Sequence, residues 1–181
     1  SAILIALLSG ALIGAIMGLL IHYGKVPAFI ATLGGMTIVR ALVMLVTSAE
    51  KVLGLPDAIG EFAIQRYLEI PAMVYVWFLT IAIGVVISRF TTFGRNMYAI
   101  GSNEEAARLS GIKIGISICG IYAFSALMSS VAGILMTARL GSGVPTAGQG
   151  YELDAIAAVV VGGASLTGAV GSIAGTVLGT V

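Results

Sequence analysis

The chain has 181 residues, of which 59% are hydrophobic and 9% are charged, and its formal net charge is +1. Soluble domains carry charge on about a quarter of their residues. This composition, with a mean hydropathy of +1.10, therefore leaves too little polar surface for a water-soluble globule and predicts an all-α, polytopic integral membrane protein. The small net charge argues against a nucleic-acid partner, which would need clustered Lys and Arg. With one cysteine and one histidine, an internal disulfide and a metal site of several such ligands are not expected.

Five apolar segments are long enough to be membrane-embedded, since roughly 20 helical residues cross ~30 Å of hydrocarbon. In chain order they are residues 1–21, 26–49, 70–88, 114–138 and 155–181. The first is too long for a secretory signal peptide, and no basic region precedes it. Because the chain starts without Met and ends inside an apolar run, we expect one transmembrane domain over residues 1–181, cut from a longer subunit at both ends.

Glycines recur every four residues in the first and last segments, which places them on one face of a helix. They are Gly10, Gly14 and Gly18, and Gly171, Gly175 and Gly179. Such a face lets a second backbone approach closely enough for van der Waals packing in lipid. We expect packing within the chain rather than at a subunit interface.

The second segment contains a glycine pair, Gly34-Gly35, followed by the one charge found inside any of the five segments, Arg40. One interpretation is a flexible continuous helix whose arginine faces other helices or reaches the interface. The other is a broken helix that lines a polar path. The sequence favours the first only slightly.

The loops between the segments differ in basic residues, which predicts their orientation. The loop 89–113 carries four of the nine Lys and Arg residues, so the positive-inside rule makes it cytoplasmic. The loops 50–69, with Asp57 among its four acids, and 139–154 are then periplasmic. The short turn 22–25 is cytoplasmic, with Lys25 as its anchor.

A short helix is predicted inside the cytoplasmic loop, over residues 102–109. Ser102 and Glu105 have the spacing of a capping box, and Gly111 supplies a left-handed stop. Glu104 and Arg108 complement the positive and negative ends of the helix dipole. So short a helix needs a packing partner, either the chain's own bundle or a soluble protein, and these residues alone do not decide between them.

The stretch GSGVPTAGQG, residues 141–150, is too polar and too rich in glycine for a regular span. It is either an exposed loop or a re-entrant element beside a cavity. After it, Asp154 is predicted to be the N-cap of a helix that begins at Ala155.

Motifs of nucleotide binding and catalysis are absent. The only Gly-Lys pair, Gly24-Lys25, lacks the rest of a P-loop, and no serine-nucleophile elbow, zinc-protease pair or dinucleotide fingerprint occurs. All eight acids lie outside the apolar segments or at their edges, which disfavours proton or sodium coupling. We therefore expect no enzyme activity, no cofactor and no metal.

Three long segments together resemble a known family. They are KVPAFIATLGGMTIVRAL (25–42), GRNMYAIGSNEEAARLSGI (94–112) and RLGSGVPTAGQGYELDAIAAVVVGGASLTGAVGSIAGTVLGT (139–180). In order and in detail they resemble the permease subunit of bacterial sugar ABC importers, and residues 141–150 resemble the ribose type more than the galactoside type.

The resemblance implies import of a monosaccharide, ribose or a related sugar, through a multi-pass subunit of the bacterial inner membrane. It implies three protein partners: a cytoplasmic ATP-binding subunit that hydrolyses ATP, a second permease subunit forming a homodimer, and a periplasmic sugar-binding protein. By the resemblance, the coupling helix that docks on the ATPase is Ser102, Asn103, Glu104, Glu105, Ala106, Ala107, Arg108 and Leu109.

Substrate contacts are less defined by the resemblance. The candidates for a translocation path are Thr37, Arg40, Gln149, Tyr151, Glu152 and Asp154. The alternative function is an ion-coupled secondary transporter or channel for a small polar solute. The exact sugar and the number of helices in the intact subunit do not follow from this sequence.

Overall fold

The computed structural model describes residues 2–54, 56, 59–61, 65–67, 69–165, 168 and 170–180. Ser1 and Val181, the predicted ends of the first and last segments, lie outside this set. So do Asp57 and six other residues of the predicted loop 50–69, and three residues of the last segment.

Helices form almost all of the regular structure in the described residues, as the composition predicted. They are α1 (Ala2–Gly24), α2 (Ala28–Thr47), α3 (Ala72–Phe90), α4 (Thr92–Ser102), α5 (Glu104–Leu109), α6 (Ile114–Leu140), α7 (Tyr151–Val161) and α8 (Ile173–Gly179). Two strands of two residues, β1 (Arg66–Tyr67) and β2 (Ile70–Pro71), pair antiparallel before α3.

Four helices of the described residues, α1, α2, α3 and α6, are long and apolar enough to cross a membrane. They correspond to the first four predicted segments. The chain is therefore an all-α, polytopic membrane protein, and that prediction is confirmed.

The fifth predicted segment does not form one spanning helix. In its described part, α7 ends at Val161 and α8 begins at Ile173. The break follows from Gly163, which has φ +85° in the left-handed region that stops α7, and from Ser172, whose hydroxyl accepts the Gly175 N–H and starts α8. At 1.5 Å per residue α7 is only ~16 Å long, about half of the hydrocarbon thickness.

Small residues occupy the interior, and large apolar residues cover the outside. The buried apolar residues among those described are mostly alanines, while Leu8, Leu12, Leu45 and Val46 of α1 and α2 are largely exposed. This distribution is the reverse of a soluble core. It suits lipid, which solvates large apolar side chains while close helix packing needs small ones.

The structure divides into two compact units, and the first comprises Ser1–Trp77 and Ile118–Ala147. In it, the glycine face of α1 packs on α6. A Cβ at Gly14 would lie 2.7 Å from Ala126 Cβ, and one at Gly18 would lie 2.6 Å from Cys119 Cα. Successive glycines meet successively earlier residues of α6, so the helices are antiparallel. The predicted packing of this face within the chain is confirmed.

Helix α2 is continuous across Gly34-Gly35, so the broken-helix interpretation is wrong. Thr37 Oγ1 donates a hydrogen bond to the Gly34 carbonyl at 2.7 Å within the same helix. Gly35 is buried against Met17 of α1, whereas a Cβ at Gly34 would meet nothing within 4 Å. Gly35 therefore allows α1 to pack closely on α2, whereas Gly34 makes no such contact and is tolerated within the helix.

Two of the predicted loops contact each other in this unit. Val52 and Gly143 exchange both backbone hydrogen bonds, each 2.9 Å long, in an isolated antiparallel bridge. Residues 50–54 and 141–144 therefore lie side by side.

The second unit comprises Phe78–Ser117 and Gly148–Val181. In it, α7 and α8 form an antiparallel hairpin: Gly175 abuts Gly162, and Gly179 abuts Ala158. The second predicted glycine face thus also packs within the chain. Whether residues 1–181 act as a single domain stays a prediction.

We predict that Gly14→Ala destabilises the intact subunit, because the added Cβ would overlap Ala126 and the Tyr122 carbonyl group. Overpacking of this kind costs ~1–3 kcal/mol. The thermal midpoint, followed by fluorescence-detected size exclusion in detergent, should fall. The control Gly34→Ala adds the same methyl group into open space and should leave the midpoint unchanged or slightly raised. Equal midpoints for the two variants would contradict the glycine-packing account.

Candidate functional site

Helix α5 coincides with the predicted cytoplasmic helix, but its N-cap differs from the predicted one. The helix spans Glu104–Leu109, and the Asn103 side chain accepts the Ala106 N–H at 3.0 Å. Ser102 instead ends α4. The Ser102–Glu105 capping box was therefore wrong: Asn is as good an N-cap as Ser, and the end of α4 decides which of the two takes the position.

The charges of α5 complement its dipole, as the sequence predicted. Glu104 and Glu105 lie in its first turn and Arg108 in its last, and the Arg108 guanidinium donates to the Glu105 carboxylate. Gly111, with φ +82°, ends the helix, and its N–H bonds the Arg108 carbonyl at 3.0 Å. The exposed ion pair adds little stability. The helix is therefore stabilised by its N-cap Asn103, by its stop at Gly111 and by charges that complement its dipole.

One face of α5 is buried, and the rest is open. Ala107 is only 4% exposed, whereas Leu109 is 82% exposed. The other predicted residues, 102–106 and 108, are exposed as well. Ala107 therefore holds the helix to its own chain, and Leu109 presents an apolar side chain among charged ones.

Helix α4 was missed by the sequence analysis, which treated residues 89–101 as loop. Thr91 caps it: its hydroxyl accepts the Gly94 N–H at 3.2 Å and donates to the Ile87 carbonyl at 2.6 Å. Gly94 allows the sharp turn from α3, because a Cβ there would overlap the Ile87 and Ser88 carbonyls. The spacing of Thr91 and Gly94 is the sequence signal from which the start of this helix could have been predicted.

A single residue joins α4 to α5. The Asn103 N–H bonds the Ala99 carbonyl of α4 at 3.1 Å, while its side chain caps α5. The two helices also pack against each other. Asn103 thus links the last turn of α4 to the first turn of α5.

Four of the predicted path residues cluster at the start of α7. Helix α7 begins at Tyr151 after Gly150, and the Glu152 carboxylate accepts the Gly150 N–H at 3.1 Å. Asp154 lies inside the first turn, so its predicted N-cap role is wrong; Gly148 and Gly150, both with positive φ, turn the chain into the helix earlier. Gln149, Tyr151 and Asp154 are exposed.

An open cavity of about 380 Å³ lies at this end of the α7–α8 hairpin. Its polar lining residues are Asp154 of α7 and Thr180, just after α8, and the remaining lining residues are three alanines, Val161 and Gly179. The cavity therefore offers a carboxylate and a hydroxyl group to a small polar molecule.

A second cavity, of about 420 Å³, lies between α1, α2 and α6 in the first unit. Its hydroxyl-bearing residues are Thr32, Tyr122, Ser125 and Ser129. Thr37 and Arg40 lie on the same helix as Thr32 but outside the lining; Thr37 is exposed and Arg40 is half-buried. The sequence analysis missed these hydroxyl residues, because single Ser and Thr residues are common in membrane helices.

The fold, with its long apolar helices, defines a multi-pass membrane protein. Comparison with known proteins gives the family. The model for the permease component of branched-chain amino acid transport systems matches residues 1–181, and the chain belongs to that family.

Curated relatives of this chain include several sugar permeases. The ribose import permease protein RbsC of Escherichia coli (strain K12) is 44% identical over 182 residues, which cover 98% of this chain and 57% of that protein. RbsC of Bacillus subtilis (strain 168) is 46% identical, covering 90% and 51%. The galactose/methyl galactoside import permease protein MglC of Escherichia coli (strain K12) is 40% identical, covering 99% and 55%. The chain thus spans a little over half the length of these relatives, and no solved structure matches it.

We predict that Asn103→Ala loosens α5, whereas Ser102→Ala does not. Loss of an N-cap costs ~1 kcal/mol, which corresponds to about fivefold faster hydrogen exchange of the amides of residues 104–109. Ser102→Ala removes the hydroxyl group of the neighbouring residue, which does not cap α5. Equal exchange in both variants would contradict the assignment of Asn103 as the cap.

Proposed function

We propose that this chain is part of the permease subunit of an ATP-driven importer that carries a monosaccharide, ribose or a related sugar, across the bacterial inner membrane. The observation that carries the proposal is α5, a capped helix with an exposed apolar residue, Leu109, next to charged side chains. Similarity to ribose and galactose permeases supports the sugar class. The subunit catalyses no chemical reaction, and ATP is hydrolysed on a separate cytoplasmic subunit.

Helix α5 docks on that ATP-binding subunit. An exposed leucine beside Glu105 and Arg108 combines apolar contact area with charges that orient a partner. Its docking surface comprises the exposed residues Ser102, Asn103, Glu104, Glu105, Ala106, Arg108 and Leu109, with Ala107 as the buried anchor.

The loop 89–113 is cytoplasmic, and the loops 50–69 and 139–154 are periplasmic. The bridge between Val52 and Gly143 supports the common side of the latter two. On that side the subunit receives sugar from a periplasmic binding protein, and a second copy of the subunit completes the pore.

The translocation path includes Gln149, Tyr151, Glu152 and Asp154 at the start of α7, with Thr37 and Arg40 of α2 as further contacts. Asp154 supports this most directly, since it lines an open cavity. Sugar hydroxyl groups donate to carboxylates and accept from arginine. Transport proceeds by alternating access, driven by movement of α5.

The intact subunit, reconstituted in vesicles with its ATP-binding subunit and sugar-binding protein, should take up labelled ribose only when ATP is present on the ATPase side. Competition by unlabelled pentoses and hexoses should rank the substrates. Uptake driven by a proton or sodium gradient without ATP would overturn the proposal in favour of an ion-coupled transporter. Free equilibration of the sugar across the vesicle membrane, with neither ATP nor an ion gradient, would overturn it in favour of a channel.

We predict that Leu109→Ser weakens binding of the ATP-binding subunit about tenfold or more, because exposed apolar side chains at interface centres contribute roughly 1–3 kcal/mol. Leu53→Ser is the matched control, since Leu53 is 77% exposed in the loop predicted to be periplasmic. Co-purification and sugar-stimulated ATPase activity measure the effect. Unchanged binding by the Leu109 variant would contradict docking through α5.

A further inference from the structure

The α7–α8 hairpin contacts the helix that leads into α5. The Tyr98 hydroxyl of α4 donates a hydrogen bond to the Gly171 carbonyl at 3.1 Å and so joins residues 73 positions apart. Gly168 packs so closely on α4 that a Cβ there would lie 2.9 Å from the Gly101 carbonyl oxygen. The tip of the hairpin, residues 162–172 in their described part, is thus attached to α4 by a side-chain hydrogen bond and a backbone contact.

The hairpin is internally stiff. Gly162, Gly175 and Gly179 bring the two backbones into contact, and a Cβ at Gly179 would lie 2.9 Å from the Gly162 nitrogen. Two helices whose backbones are in direct contact move together, because there is no empty space between them. A displacement at the tip therefore reaches the open end.

The open end of the hairpin carries the polar groups. Asp154 and Thr180 line the cavity there, and at 1.5 Å per residue Asp154 lies ~10 Å along α7 from the end of that helix at Val161. Polar groups of a membrane protein are tolerated where they line a cavity, so a carboxylate and a hydroxyl group at this end of the hairpin suit a path for a polar solute.

We propose that Tyr98 is a positioning residue for transport, which fixes the tip of the α7–α8 hairpin to the α4–α5 pair and thereby couples α5 movement to the Asp154 cavity. This inference rests on the proposed function. The route runs from α5 through Asn103 to α4, and from Tyr98 to the hairpin.

Tyr98→Phe tests this proposal because it removes only the hydroxyl group. In the reconstituted complex, we expect sugar moved per ATP hydrolysed to fall about fivefold, the change that loss of one neutral hydrogen bond produces in an equilibrium constant. ATPase activity and the amount of assembled complex should persist. Tyr23→Phe, the same change at an exposed tyrosine, is the matched control and should keep the wild-type ratio.

Gly168→Ala provides a second, independent variant. Its Cβ would push the tip away from Gly101 and should also lower the ratio of sugar to ATP. Gly141→Ala shares the strain of a positive φ without any contact within 4 Å, so it should keep the ratio.

The outcomes separate this inference from the proposed function. Absence of ATP-dependent uptake by the wild-type complex would overturn the proposed function itself. Normal wild-type uptake with an unchanged ratio in Tyr98→Phe and Gly168→Ala would overturn only the role of Tyr98. If Tyr98→Phe lowered uptake, ATPase activity and the amount of protein in proportion, the hydroxyl group would be only structural. That result would also overturn the positioning role of Tyr98.

Discussion

Close backbone contact at glycine is the constraint on which this structure depends. Lipid removes the hydrophobic drive between helices, so they associate through van der Waals packing. Gly14 and Gly18 bring α1 onto α6, and Gly175 and Gly179 bring α8 onto α7. The large side chains are thereby released to face the bilayer, and their exposure in this chain follows from the packing of the small ones.

The same physical rule makes α5 exceptional. An exposed leucine on α1 or α2 has lipid around it and needs no other explanation. Leu109 stands beside Glu105 and Arg108 in the loop with the highest count of basic residues, where the solvent is water. Contact with another protein would remove such a group from water, which is the basis of the docking proposed for α5.

The hairpin of α7 and α8 is a second element whose packing depends on glycine. Glycine serves it in two ways: Gly163 adopts the left-handed conformation that ends α7, and Gly162 and Gly175 let the returning helix pack against it. At one end of the hairpin a cavity is lined by Asp154 and Thr180, and at the other end the hairpin contacts α4. These two contacts at opposite ends are the basis of the coupling proposed above.

The sequence by itself determined the membrane class, the four long spans, the glycine faces and the short helix with its stop at Gly111. These depend on composition, helical spacing and local backbone preference, which act over a few residues. Only the tertiary structure decided that Asn103 rather than Ser102 caps α5, that α7 begins before Asp154, and that the last apolar segment returns as a hairpin. Each of these required the position of another element: the end of α4, the turn at Gly150, and the contact of Gly175 with Gly162. Hydropathy sums apolar residues over a window and so cannot distinguish one spanning helix from two half-length helices packed side by side, because the burial in lipid is similar for both.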